Sequence, residues 1–147
     1  MDLKKMFEEF DKANFEIAKN VSNRIKEAID SGLGHPHLYL LMFLKNEGEC
    51  MVTDIAKHLD ITLSAVTNLT DKLFNLDMIS RSRRESDRRV VVIGLKEEGQ
   101  KVIEKISETR NKIFEEYFSN ISEEEIQTFF KVVKKISENV SKSETKE

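Results

Sequence analysis

The chain has 147 residues and a net charge of −3; 35% of its residues are charged and 7% are aromatic. That size suits one compact domain with its own core, and a composition with one proline and five glycines favours helices joined by short turns. The single cysteine excludes an internal disulfide framework, and the longest apolar run, residues 38–44, is too short for a membrane span. We therefore expect a protein of the reducing cytoplasm without a membrane segment.

The first two predicted elements are helices. Apolar residues recur at helical spacing over residues 3–29, which predicts a long amphipathic helix that Gly32 and Gly34 end. Pro36 suits the first turn of a second helix, because its missing N–H is not needed there. That second helix contains the apolar run and is apolar nearly all round, so we expect it to be buried.

Two short helical patterns follow and together suggest a helix-turn-helix. The first covers residues 53–59 and the second runs from 62 to about 77, and each begins with a threonine at a plausible N-cap position. Ala56 is a small residue that lets the two helices cross closely, and Asp60 is a turn residue that tolerates a left-handed backbone. Helix pairs that merely pack together share this pattern, so it is only moderately specific.

The outward face of the second short helix is polar. Projection at about 100° per residue gathers Val66, Leu69 and Leu73 on one side. The opposite side carries short polar residues: Ser64, Asn68, Asp71 and Asn75, flanked by Thr67 and Lys72. Small side chains allow close approach to a DNA groove, and asparagine can pair bidentately with adenine. The alternative is a plain solvated face. Asp71 is a poor neighbour for phosphate, so we expect it to pair with a nearby Arg or Lys.

A hairpin with a basic loop is predicted next. Two β-rich stretches, residues 78–83 and 89–93, flank a polar tip. Residues 81–96 hold six basic and two acidic side chains, so this segment carries +4 and the rest of the chain −7. An arginine-rich tip beside a recognition helix can enter the minor groove, and a solvated charge run is the alternative. We interpret Asp87 as an anchor that orients Arg89 or another basic neighbour.

Two further helices end the chain. The first pattern starts near Lys96 and breaks at Asn120, and a capping box of Ser122 and Glu125 then opens the last helix. The apolar stripes at the two termini exceed what a small middle region can cover. They predict a symmetric homodimer; the alternative is that the terminal helices only complete their own core.

The sequence resembles the multiple-antibiotic-resistance regulator (MarR) family over nearly the whole chain. The most specific mark is the wing sequence Asp87-Arg88-Arg89, followed by a strand and a Leu-x-x-x-Gly helix start that begins at Leu95. Two positions depart from the family pattern. Lys96 stands where a capping threonine is usual, and Asn68 stands where a basic residue is common, so the base preference cannot be carried over.

The resemblance implies a mostly α fold with a small β-wing and the function of a DNA-binding transcription regulator. The expected protein is a homodimeric repressor of pseudo-palindromic operators in double-stranded DNA, which a small molecule releases. We predict a single domain over residues 1–147, with dimerisation helices at 1–32 and 100–147 and a winged helix-turn-helix at 50–96. The predicted DNA-binding residues are Thr53, Thr62, Ser64, Ala65, Thr67, Asn68, Lys72, Arg84, Asp87, Arg88 and Arg89.

The resemblance also implies an effector pocket between the dimer helices and the winged domain. Its predicted lining is Arg24, His37, Leu38 and Met42, and a phenolic or other aromatic acid could pair with Arg24. Ordinary core packing is the alternative interpretation of these residues.

Other chemistry has weaker support. His35 and His37 could start a zinc site in a metal-responsive regulator, but no second Cys/His cluster accompanies them. We expect Cys50 to be a buried structural thiol. No nucleophile–base arrangement or phosphate-binding loop supports catalysis, so we predict no enzyme, no cofactor and no metal. A winged-helix protein-interaction module without DNA binding remains the alternative function.

Overall fold

In the computed structural model, which describes residues 1–144, helices dominate and one small sheet lies in the middle of the chain. This confirms the predicted mostly α fold with a small β-wing. In chain order the elements are α1 (Leu3–Ile29), α2 (His35–Glu47), β1 (Cys50–Met51), α3 (Val52–Leu59), α4 (Leu63–Asn75), β2 (Ile79–Arg84), β3 (Asp87–Leu95), α5 (Glu97–Phe118) and α6 (Glu123–Glu144).

The described residues form two compact units, and the division falls inside α5. The first unit spans Met1–Arg110 and the second begins at Asn111. Residues 145–147, the end of the predicted C-terminal dimerisation segment, lie outside the described residues. None of the described helices combines the length and apolar character that crossing a bilayer requires. The predicted single domain and its internal boundaries stay predictions.

The core of the first unit is built around α2. Leu40, Leu41 and Leu44 are at most 1% exposed, so much of this helix is buried as predicted, although Tyr39 is 54% exposed. Each fully buried side chain of this size stabilises the fold by about 1.5–3 kcal/mol relative to exposure. Side chains from the other elements of this unit complete the core: Ile25, Ile55, Val66, Leu73, Ile79, Ile93 and Ile103.

The sheet has the strand order β1-β3-β2 and is antiparallel throughout. Arg81 lies opposite Ile93 in the β2–β3 hairpin, and the register shifts between Arg83 and Arg84 at its tip. The hairpin confirms the predicted wing. Strand β1 was not predicted, because it is two residues long and exists only through the pairing of Cys50 with Ile93 and its neighbour.

Helix ends were predicted less well than helix bodies. Helix α1 ends at Ile29, and its C-cap is Asp30 in a left-handed conformation with φ 44°, so the glycines predicted to end it lie beyond the cap. Thr53 is not an N-cap: α3 begins at Val52, one residue earlier. Thr62 does cap α4, because its hydroxyl accepts a hydrogen bond of 3.1 Å from the Ala65 N–H.

The second unit contains the end of α5 and all of α6. The predicted capping box is confirmed: the Ser122 N–H donates to the Glu125 carboxylate at 3.0 Å, and the Glu125 N–H donates to the Ser122 hydroxyl at 3.4 Å. These reciprocal bonds satisfy two N–H groups that a helix start otherwise leaves free. The Ser122 hydroxyl also donates to the Glu125 carboxylate at 2.6 Å, and this bond, followed by the one from the Ser122 N–H, lowers the pKa of Glu125.

Candidate nucleic-acid interface

Helices α3 and α4 form the predicted helix-turn-helix. The turn between them places Asp60 in the left-handed region with φ 52°, and the Ile61 N–H donates to the Ala56 carbonyl at 3.0 Å. Ile55 of α3 and Val66 of α4 are fully buried, and Ala56 packs against this core. The small residue at 56 and the turn at 60 therefore act as predicted and set the angle between the two helices.

Helix α4 presents the polar face that a groove-reading helix requires. Val66, Thr70 and Leu73 are buried on its inner side. The residues predicted to face outward are all exposed in the structure: Ser64, Thr67, Asn68, Asp71, Lys72 and Asn75. Three of them already have partners in the chain, and the partner of Asp71 is Arg81. The Thr67 hydroxyl donates to the Leu63 carbonyl at 3.0 Å, and the Lys72 ammonium donates to the Gly32 carbonyl in the loop before α2.

Arg81 connects α4 to the wing. Its guanidinium group donates to the Thr70 hydroxyl at 2.7 Å and to the Asp71 carboxylate, and it lies 5.3 Å from the centroid of the Phe74 ring. Thr70 can accept this bond because its own proton goes to the Val66 carbonyl at 2.9 Å. The predicted pairing of Asp71 with a nearby arginine is confirmed. Arg81 thereby fixes α4, the predicted recognition helix, against strand β2.

The tip of the wing is organised by Asp87. One carboxylate oxygen of Asp87 accepts hydrogen bonds from the backbone N–H of Arg89 at 3.0 Å and from its Nε at 3.2 Å. These two donors lower the pKa of Asp87. Across the tip, the Arg83 guanidinium donates to the Arg88 carbonyl at 2.8 Å. The predicted role of Asp87 as the anchor of Arg89 is confirmed, while Arg89 remains 92% exposed and available for contact.

A groove of about 680 Å³ lies between the recognition helix and the wing. It brings together Thr53 of α3, Thr67 of α4 and Arg89 of β3, three of the predicted DNA-binding residues. Ala65 and Asn68 line a different cleft, on the side of α4 next to the start of α2. The other predicted residues line neither space: Thr62, Ser64, Lys72, Arg84, Asp87 and Arg88.

Two arginines of the groove were missing from the predicted site. Arg81 and Arg83 line it together with Arg89, so three arginines converge there. The signal in the sequence was their spacing, since residues two apart on a strand point to the same face. The sequence shows the charge of these two arginines but not their contacts.

The predicted effector residues do not form one site. Leu38 and Met42 line a small cleft of about 100 Å³ together with Ile25 and Arg110. His37 lines the larger cleft beside α4 instead, and Arg24 is absent from the lining of both. The family resemblance alone groups these four side chains, because the sequence does not show the tertiary contacts that separate them.

The thiol and the histidines show no metal or redox arrangement within the described residues. Cys50 is only half-buried, and its sulfur lies 3.3 Å from the Gly48 carbonyl, so the expectation of a buried thiol was too strong. Burial, followed by the charges of Asp54 and Glu47, raises the pKa of this thiol, which keeps it protonated and weakly reactive. Over residues 1–144, no three side chains among His, Cys, Asp and Glu come close enough to hold a metal ion.

The sequence matches known regulators. A family model described as the MarR family matches residues 33–91. An uncharacterized HTH-type transcriptional regulator of Bacillus subtilis, YwhA, is 31% identical over 100 residues, which cover 68% of this chain and 72% of YwhA. The HTH-type transcriptional repressor MdtR of the same organism is 34% identical over 95 residues, which cover 65% of this chain and 61% of MdtR.

Solved structures share the fold. A MarR family protein from Bacillus stearothermophilus has a TM-score of 0.79 and 26% identity, covering 96% of this chain and 99% of that chain. A variant of S. aureus MepR bound to an oligodeoxyribonucleotide has a TM-score of 0.70 and 22% identity, with coverage of 95% and 99%. Bordetella bronchiseptica BpsR, whose DNA binding is regulated by 6-hydroxynicotinic acid, has a TM-score of 0.62 and 20% identity, with coverage of 88% and 98%.

Proposed function

Because this chain belongs to the MarR family of DNA-binding transcription regulators, we propose that it represses transcription as a homodimer bound to pseudo-palindromic operators. The observation that carries the proposal is the groove between α4 and the wing, which Thr67 of the recognition helix and Arg89 of the wing tip both line. Helix and hairpin residues that share one groove can follow the DNA backbone together. The repressor MdtR and the DNA-bound MepR variant support the same assignment.

The two elements have different proposed roles. Ser64 and Asn68 are exposed on α4, and their short side chains allow the helix to come close to base edges in the major groove. The pattern of donors and acceptors there is unique to each base pair. Arg84, Arg88 and Arg89 are exposed on the wing and supply charge to phosphates and to a narrow minor groove. The helix therefore selects the sequence, and the wing supplies much of the affinity.

The proposed homodimer follows from apolar surface that the chain leaves uncovered. On α1, Met6, Phe7 and Phe10 are more than half exposed, and on α6 Phe130 and Ile136 are also more than half exposed. Apolar stripes of this kind on helices mark interaction surfaces, and a second copy is the simplest partner. A regulator with this function works on DNA in the cytoplasm and needs no enzymatic activity.

Release by a small aromatic molecule is part of the proposal. The regulation of BpsR by 6-hydroxynicotinic acid supports this class of effector. The four residues first predicted to bind it are dispersed, so they are not proposed as a single pocket.

The experiment that tests DNA binding is a fluorescence anisotropy titration with a labelled duplex over a series of salt concentrations. A duplex selected from a random pool would serve as the ligand and would report half-site sequence and spacing. The double variant Arg88→Ala plus Arg89→Ala removes two wing charges, so the slope of log K against log salt should fall by about two. The control Lys45→Ala plus Lys105→Ala removes the same charge from exposed positions outside the interface.

Binding with no salt dependence, or with the same slope in the wing variant as in the control, would overturn the proposal. Absence of salt dependence would favour the alternative of a winged-helix protein-interaction module. Equal slopes in the wing variant and the control would show that the two wing arginines make no phosphate contacts of their own.

A further inference from the structure

Both charged side chains of helix α4 are engaged within the chain. The Asp71 carboxylate accepts from the Arg81 guanidinium, and the Lys72 ammonium donates to the Gly32 carbonyl in the loop before α2. Lys72 is the only basic residue of this helix. Arginine and lysine make the commonest specific contact with DNA bases, a bidentate one to O6 and N7 of guanine. Helix α4, which the structure describes in full, therefore has no uncommitted cation for that contact.

Asn68 takes the central place on the outward side of this helix. It lies in the second turn, nearly opposite the buried side chains of Val66 and Leu73. The residues one turn before it, Ser64 and Ala65, have short side chains, so neither can keep the helix away from a base edge. The first half of a recognition helix is the part that contacts base edges. Asn68 is therefore the side chain of α4 best placed to read a base pair.

The amide group of Asn68 matches one base in the major groove. An asparagine side chain offers an NH₂ donor and a carbonyl acceptor side by side. Adenine presents N7 as an acceptor beside the N6 amino donor, so both groups of the amide are satisfied at once. Guanine presents two acceptors, N7 and O6, and one of them would face the amide carbonyl. Cytosine and thymine each offer a single hydrogen-bonding group there, so two hydrogen bonds form with adenine only.

The wing cannot make the same choice. Its exposed arginines, Arg84, Arg88 and Arg89, are proposed to reach the minor groove. There A·T and T·A pairs show the same pattern, and only the amino group of guanine marks a G·C pair. The wing can thus separate A·T-rich from G·C-rich DNA, but it cannot tell which strand carries the adenine. Within the proposed interface, that distinction belongs to α4.

We propose that Asn68 reads one adenine in each half-site through a bidentate pair with N7 and N6, and that it rejects guanine and thymine at that position. The adenine contact rests on the proposed function and makes it specific at one base pair. A symmetric dimer places Asn68 once in each half-site, so the two adenines are related by the two-fold axis of the operator. Replacing either adenine by another base should raise the Kd about tenfold or more.

The test starts from the duplex selected from a random pool and replaces its half-site adenines one at a time by 7-deazaadenine. This analogue keeps Watson–Crick pairing and the N6 amino group but has a carbon in place of N7. One adenine per half-site should be sensitive, with a Kd raised about fivefold or more in anisotropy titrations. In Asn68→Ala the parent duplex should bind about tenfold or more weakly, and the analogue should then change the Kd by less than about twofold.

Two further variants complete the design. Asn75→Ala removes the other asparagine of α4, which is exposed in the last turn, and should keep the full effect of the analogue. Asn68→Arg should invert the preference, so that a duplex with guanine in place of the sensitive adenine binds more tightly than the parent duplex. The ratio of the two Kd values is the readout, because the added charge strengthens binding to both duplexes alike.

The analogue series on the unsubstituted chain tests the adenine contact even if a variant fails to fold. A selected duplex with no sensitive adenine, or a sensitive adenine whose effect persists in Asn68→Ala, would overturn the contact while the DNA-binding function stands. An effect that disappears equally in Asn75→Ala would also overturn it, because Asn68 would not be its specific source. Absence of DNA binding by the unsubstituted chain would instead overturn the proposed function, and the adenine contact with it.

Discussion

Arg81 shows how one side chain of the wing can position the recognition helix α4. Its guanidinium group links Thr70 and Asp71 of α4 to strand β2 and packs over the Phe74 ring. Arginine holds such partners through a planar fork of donors, which the point charge of lysine does not reproduce. The side chains of Arg81 and Asp71 are 30% and 50% exposed, so their ion pair alone contributes only about 0–1 kcal/mol. Arg81 should therefore act mainly by orienting α4, and only weakly through the energy of its ion pair.

The prediction at this scale concerns Arg81→Lys, which keeps the charge and removes the fork. We expect the free energy of unfolding to fall by about 1 kcal/mol because the hydrogen bond to Thr70 is lost. We expect DNA affinity to fall about tenfold while the salt slope stays unchanged, since the charge of Arg81 is directed at Asp71. Urea unfolding and anisotropy measure the two effects. A salt slope that drops by about one, as a lost phosphate contact would cause, would contradict the positioning role.

Residue roles could be predicted from sequence when the partners were close along the chain. Asp87 and Arg89 are two positions apart, and their contact follows from charge and local geometry. The partner of Asp71 was predicted by type only, because Arg81 reaches it through the packing of the hairpin on α4. The effector residues depended wholly on tertiary packing, and the predicted set was dispersed.

At the scale of elements, helix bodies were predicted by apolar periodicity, whereas helix ends were predicted only where the sequence carries a clear cap, as at Thr62 and Ser122. Strand β1 has two residues and carries no pattern of its own, so only its pairing with β3 creates it. The helix ends depend on residues whose backbone is in the left-handed conformation. Asp30, Asp60 and Asp77 are the non-glycine residues with positive φ in the described chain. Asp at such a site is easily misjudged, because glycine is the commoner choice.

The prediction at the scale of elements concerns Asp60, whose side chain carries a negative charge at the C-terminal end of α3. The helix dipole disfavours a negative charge at that end by about 0.3–1 kcal/mol. Asp60→Asn removes the charge and keeps a residue that tolerates the left-handed region, so it should stabilise the fold by that amount. Asp60→Ala removes the same charge but should destabilise the fold by about 1 kcal/mol, since alanine resists a positive φ.

Urea unfolding of the two Asp60 variants separates the charge from the backbone conformation. The expected order of stability is Asn, then Asp, then Ala. An alanine variant as stable as the asparagine variant would show that the left-handed turn does not constrain this position. The wild-type affinity for DNA should be kept in Asp60→Asn, because the turn between α3 and α4 is unchanged.

At the scale of the whole molecule, charge and apolar surface are separated along the chain. Residues 81–96 carry +4 in a chain of net charge −3, so the basic charge is concentrated on the wing. The terminal helices have the opposite character, since α1 and α6 expose large apolar side chains. A net acidic protein can therefore bind DNA through one element and bind a second copy through others.

The homodimer is the prediction that belongs to this scale. Light scattering of the purified chain should give twice its mass of 17.1 kDa. Phe10→Glu places a charge on the apolar stripe of α1, where Phe10 is 62% exposed, and should shift the chain to monomer. Lys12→Gln changes the net charge by the same amount, two positions along the exposed helix and about 200° around its axis, and should leave the dimer intact.

DNA binding should follow the oligomeric state. A dimer bound to two half-sites about one helical turn apart gains from both contacts, and a monomer keeps only one. Phe10→Glu should therefore lose at least about a hundredfold in affinity for a two-site duplex and much less for a duplex with one half-site. A monomeric wild-type chain would refute the homodimer, and a Phe10→Glu variant that remains dimeric with full affinity would place the dimer contact elsewhere than on α1. Equal losses on both duplexes would instead indicate damage to the winged helix itself.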